Sequence, residues 1–224
     1  MATKCFQSTL TVAGIVVALV TASIFDATVT IDHNANSVAN RDFKFKNVSS
    51  PAKDDAAAKA KLVLVDGDLD ANGADLVAVT DGLLPAERDE PAANFFFNVG
   101  TSGGRFRFEF PTVMELSQVN TYSWHPGSRG PQIYKLYGSD GLDPKFNANP
   151  PRTIDPATVG WTLIATVNTV STNGLEGGQY AVSIANPIGS LGKYRHLLFD
   201  CYVTETNDDF GNTFYSEIDV IEKN

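Results

Sequence analysis

The sequence predicts an all-β sandwich, and three observations carry that prediction. From residue 62 onward, short apolar or alternating runs are separated by clusters of Gly, Asn, Asp and Pro. Arg105-Phe-Arg-Phe-Glu-Phe110 alternates strictly and sets three Phe on one face, the period of a half-buried strand. No window of about eleven residues shows helical periodicity with caps. About eight to ten such runs at this spacing make a sandwich or barrel.

The elements follow in order. Residues 62–65 are wholly apolar, and 76–79 and 94–99 are similar, the last with three consecutive Phe. Residues 105–110 and 118–124 alternate, and 133–137 and 180–184 mix aromatic with aliphatic side chains. Trp161 opens a β-branched run at 162–167. Residues 196–203 read as a buried strand whose Cys201 is a packed, unreactive thiol, and 216–221 closes the series. Upstream, Phe43-Lys-Phe-Lys46 alternates like a short strand. Residues 51–61, rich in Ala, Lys and Asp, form either one or two helical turns or a solvated loop.

Composition sets the frame. With 224 residues and 43% hydrophobic side chains, the chain supports one domain plus a leader. Lys4 and the apolar stretch 10–22, ending in Val20-Thr-Ala22, read as a secretory signal. The stretch is short for a membrane span, which needs roughly 20 residues. The expected organisation is therefore a signal peptide at 1–22, an N-terminal extension at 23–60 that either adds a strand or wraps the sandwich loosely, and a β-sandwich domain at 61–224. Such a protein is secreted, periplasmic or at the cell surface, with no membrane span in the mature chain. A net charge of −9 repels phosphate backbones and argues against nucleic acid.

Val119-Asn-Thr-Tyr-Ser-Trp-His-Pro-Gly-Ser-Arg129 runs into Pro131-Gln-Ile-Tyr-Lys-Leu-Tyr-Gly-Ser-Asp-Gly141. Val79-Thr-Asp-Gly82 precedes it; Trp161-Thr-Leu-Ile-Ala165 and Ser216-Glu-Ile-Asp-Val220 follow. In this order the segments resemble the discoidin-like (coagulation factor 5/8 type C) group of the galactose-binding-like fold, with a texture similar to such domains in exported bacterial proteins. The resemblance covers about residues 79–222. It implies an eight-stranded jelly-roll sandwich with ligand loops at one end. It also implies a structural Ca²⁺ held by the Asp of the early Asp-Gly turn and the Glu of the closing strand, here Asp81 and Glu217, with Asp89 as a further ligand. Hard cations take about six to eight oxygens; without the ion, Asp81 is a turn residue and Glu217 an exposed strand residue. The chain departs from the group in a longer first part and in lacking the cysteines for a disulfide between its ends.

The loop 124–129 places Trp124, His125 and Arg129 within six residues. An aromatic face suits sugar C–H groups, and Arg supplies planar donors that bracket hydroxyls. The alternative is structural, with Trp124 buried, His125 capping a turn and Arg129 ion-paired. Asp66-Gly-Asp-Leu-Asp-Ala-Asn-Gly73 matches the start of an EF-hand loop, but position 12 is Val79 and no helix flanks it, so a Gly-containing turn with solvated Asp explains it equally. Asp208-Asp209 is the acid pair a glycoside hydrolase would need, set in a Gly/Asn-rich loop. No Gly-x-Ser-x-Gly, His-Glu-x-x-His or Walker sequence occurs. The expected function is a secreted, non-catalytic module that binds a glycan or cell-surface polysaccharide. The alternatives are an adhesion protein making protein contacts through the sandwich, and a hydrolase-like enzyme.

Overall fold

A computed structural model describes residues 27–187 and 189–223; the expected signal peptide lies outside them. Eight strands form: β1 (Thr28–Ala35), β2 (Lys61–Asp66), β3 (Gly103–His125), β4 (Ile133–Ser139), β5 (Thr162–Asn168), β6 (Gly178–Ala185), β7 (Gly192–Tyr202) and β8 (Tyr215–Glu222). Every pairing between them is antiparallel.

The runs at 105–110 and 118–124 belong to one strand, β3, which serves two layers. Its first half pairs with β2 and β7, its second with β6 and β8. Between them the register against β7 slips from Glu109 to Met114, and residues 111–113 are exposed. Pro111 has no N–H to give a ladder, so the break falls where pairing is weakest. One layer is β2-β3-β7-β4-β5, the other β1-β6-β3-β8, and the shared strand nearly closes them into a barrel. This is the all-β jelly-roll sandwich that the sequence predicts.

Phe106, Phe108 and Phe110 point between the layers and are fully buried. Phe106 stacks on Phe199 with centroids 4.9 Å apart and meets Phe95 edge-on at 5.2 Å. Phe106→Ala is expected to cost about 3–5 kcal/mol in urea unfolding, as for a well-packed core aromatic. A cost below about 1 kcal/mol would show that this cluster does not organise the core.

The opposite face of the same segment is also covered, where a half-buried strand was expected. Arg105 and Arg107 are 3% and 4% exposed. Arg105 donates to the carbonyls of Pro150, Pro151 and Ile154 and pairs with Asp200 at 2.9 Å. A charged strand face is thus roofed by carbonyl-rich loop rather than by water. Three other runs differ from expectation. Residues 76–80 form a short 3₁₀ helix because the Asp75 carboxylate accepts from Val77 N, capping it. Residues 94–99 make only the isolated bridges Leu69–Phe97 and Phe95–Tyr215. Residues 43–46 form no strand; Phe45 instead packs against Tyr122.

β1 pairs along its whole length with β6, from Thr28–Ala185 to Ala35–Gly178. Gly178 also faces His125, the last residue of β3. At the opposite end, Glu222 of β8 pairs with Leu116. The outer ends of β1 and β8 therefore share one end of the sandwich, and the loop after β3 lies at the other.

Candidate functional site

β3 stops at His125 because Pro126 follows and the chain turns. His125 Nδ1 accepts from Gly127 N at 3.0 Å, and Gly130 N donates to Gly127 O. The loop after β7 then grips this turn: Thr204 Oγ1 donates to Ser128 O, and Phe214 N donates to Arg129 O. Arg129 is thereby driven sideways among three aromatic rings. Its guanidinium carbon lies 5.1 Å from the centre of Phe96 and 4.9 Å from both Phe210 and Phe214. Phe96 and Phe214 stack at 4.0 Å to form the floor, and Phe210, 52% exposed, stands at the rim.

Arg129 is 7% exposed, yet its Nε and Nη2 have no hydrogen-bond partner among the described residues. Buried guanidinium N–H groups are costly to leave unmade. Arg129 lines a cavity of about 380 Å³ whose wall also contains Asp70, Asn72, Asp89 and His125. Burial pulls Arg129 below its ordinary value while Asp70, Asp89 and Asp208 oppose that shift; a guanidinium stays charged regardless. His125 is held below its usual value by burial and by Arg129, against Asp89. With Nδ1 accepting, its proton sits on Nε2, 3.9 Å from Asp89 Oδ1. The cavity thus offers aromatic faces, two kinds of planar N–H donor and free carboxylate acceptors.

Of the three expected ligand-binding residues, His125 and Arg129 come together here and Trp124 does not. Successive strand residues point to opposite faces, so Trp124 is buried away from the cavity, beside Phe45, Leu84 and Tyr180. The aromatic rings at the cavity are instead Phe96, Phe210 and Phe214. Period-two reasoning signals Phe96, since Phe95 and Phe97 both enter the main core. Nothing local signals Phe210 or Phe214.

The expected calcium residues separate into two places. Gly82 N donates to Glu217 Oε2 at 2.8 Å, which brings the Asp81 turn against Glu217. Asp81 Oδ1 is occupied by Leu83 N. Asp89 stands at the Arg129 cavity instead. Among the described residues no three His, Cys, Asp or Glu side chains gather as a metal donor set. The structure thus sets Asp81 beside Glu217 and puts Asp89 at the other site. Glu217 is 1% exposed rather than an exposed strand residue. Burial, with the charges of Asp219 and Asp81, pushes its carboxyl up to about 9 against the Gly82 hydrogen bond.

The segment 66–73 forms a turn. Asp70 Oδ1 accepts from Asn72 N and Nδ2, both at 2.9 Å, and Gly73 N donates to Asp70 O. It delivers Asp70 and Asn72 to the cavity wall. Asp208 likewise accepts from Phe210 N, so that carboxylate shapes the loop that carries the rim ring.

No protein-family model matches the chain, and no curated protein does. Solved structures do. One is a carbohydrate-binding module from a family 31 glycoside hydrolase of Clostridium perfringens, with 14% identity over 75% of this chain and 94% of that one, and a TM-score of 0.49. Another is the family 32 module of C. perfringens NanJ in complex with galactose: 9% identity, 74% and 95% coverage, TM-score 0.45. A third is chitosan-binding module 2 of a Paenibacillus chitosanase/glucanase, in complex with chitotriose: 10% identity, 74% and 98% coverage, TM-score 0.45. These are likenesses of fold.

Proposed function

We propose that this protein is a secreted, non-catalytic glycan-binding module and that the Arg129 cavity is its site. The observation that supports this most is the Arg129 guanidinium, buried between aromatic rings with two nitrogens unpaired. A sugar answers both halves of that arrangement: its C–H face packs on an exposed ring such as Phe210, and its hydroxyls accept from Arg129 and the His125 Nε2–H. The cavity size lies near the lower end of small-ligand sites, about 300–1,000 Å³, and suits one or two sugar rings. The leader-like stretch at 10–22 supports secretion.

The test is a glycan-array screen of the purified protein, followed by calorimetry on the best ligand with wild type and Phe210→Ala. Phe210 is half exposed, so its loss should leave the melting temperature unchanged. It should weaken binding about tenfold, the worth of one aromatic contact of about 1.4 kcal/mol. Binding of no glycan, or equal binding by both proteins, would remove this reading.

A further inference from the structure

We infer that the protein binds along a polysaccharide chain free of acidic groups, and that a second depression beside the Arg129 cavity holds the sugar residues that follow. This rests on the function proposed for the Arg129 cavity and sets the length and charge of its ligand. The second depression, of about 190 Å³, is lined from residues 100–102 and from within residues 203–211. The Arg129 cavity takes Val99 and Phe210 from the same two loops. The chain neighbours Val99 and Gly100, and likewise Phe210 and Asp209, therefore serve different sides of one ridge. Gly100 N donates to Asp209 O, and Asn212 Nδ2 donates to the carbonyls of Asn98 and Thr101, so the two loops are pinned together. The Arg129 cavity has room for one or two sugar rings. A longer chain leaves it over the half-exposed Phe210 ring, which offers the next sugar an aromatic face.

Beyond the ridge the surface is rich in acceptors. Glu205, Asp208 and Asp209 line the second depression, and no Lys, Arg or His does so among the described residues. The Asp209 carboxylate and the Thr206 hydroxyl are on exposed residues and have no hydrogen-bond partner among the described residues. Glu205 Oε2 accepts from Asn207 N and Asp208 N, while Glu205 Oε1 is buried without a partner. Sugar hydroxyls supply the donors that such a surface lacks. A polyuronate or sulfated chain would instead set a further anion against these carboxylates at each residue, on a protein whose net charge is −9. A single terminal sugar would fill the Arg129 cavity and leave this row of acceptors in water.

The probes are oligosaccharide ladders of one to six residues. The neutral ladders are β-1,4-linked glucose, mannose, galactose and N-acetylglucosamine; the acidic one is α-1,4-linked galacturonate. Affinities are measured by calorimetry with wild type and the double variant Thr206→Ala, Asp209→Ala. Both side chains are exposed and the Gly100–Asp209 bond is made by backbone, so the variant should fold normally; melting confirms this. On a neutral ladder that binds, affinity is expected to rise about tenfold between two and four residues and then level off, the worth of one or two net hydrogen bonds. The variant should lose that rise and keep the affinity for the disaccharide. Affinity that stays flat along the ladders, a rise that the variant keeps, or an equal rise on the galacturonate ladder overturns the inference while leaving glycan binding standing. If no ladder binds, the inference falls, and the proposed function falls with it when the array finds no other sugar.

Discussion

Arg129→Met is expected to lower glycan affinity about a hundredfold while changing the free energy of unfolding by less than about 1 kcal/mol. The two effects should separate if Arg129 serves the proposed ligand, because its contacts within the fold nearly cancel. Its folded-state gains are three cation–π contacts at 4.9–5.1 Å and the attraction of Asp70, Asp89 and Asp208. Its costs are desolvation of the charge and two buried nitrogens without partners. Met keeps the unbranched shape and favourable contacts with rings and removes the unmade hydrogen bonds, so the losses and gains nearly cancel. A bound sugar changes the balance, since each charge-assisted hydrogen bond it accepts is worth about 1.5–3 kcal/mol. Calorimetry and urea unfolding on the same preparation read both quantities. Unfolding of the variant would make Arg129 a structural residue, and retained affinity would place the ligand elsewhere.

Stability is expected to fall as pH rises from about 7 to about 9, and Glu217→Gln should flatten that slope. In the folded protein Glu217 keeps its proton up to about 9; in the unfolded chain it loses the proton at its ordinary value near 4.5. Between these values the folded state binds the extra proton, so raising the pH favours unfolding, by at most about 1.4 kcal/mol per pH unit for one proton. Asp55 adds to the effect up to about 7, where burial and the charge of Asp219 have raised it. His125 and His196, both held below their ordinary values, act in the opposite direction only as the pH falls below about 6.5. The carboxyls held low, such as Glu109 beside Arg107, titrate below that again. Above pH 7 the slope therefore belongs mainly to Glu217. Urea unfolding at several pH values should show the variant gaining on wild type as pH increases, because its neutral amide still accepts from Gly82 N. Parallel pH profiles for the two proteins would mean that Glu217 ionises normally in the fold.

Much of the fold was legible because β-sandwich signals are local. Three Phe at every second position mark the core face of β3 whatever the strand pairs with. What local pattern cannot supply is pairing. Val29 and Ile31 alternate in β1 as clearly as the Phe do, but that strand depends on β6, some 150 residues away. Residues 76–79 are as apolar as a strand, and one carboxylate cap at Asp75 turns them into 3₁₀ helix. The site divides in the same way. His125 and Arg129 share one short loop, so their common place in the cavity wall was legible in the sequence. Trp124 shares the loop but not the face, because the strand still alternates through it. Phe96, Phe210 and the Asp70–Asn72 turn come from separate loops that meet only once the layers close.

The placement of the strand ends bears on how the protein can be handled and displayed. Thr28 and Glu222 leave the sandwich at the end away from the Arg129 cavity. A tag, a surface linkage or a fused carrier attached through either end would thus leave the cavity open to bulk solution. Several copies mounted on one scaffold would all present their cavities outward, so that modest single-site affinities for the proposed glycan would combine into avidity on a repetitive polysaccharide.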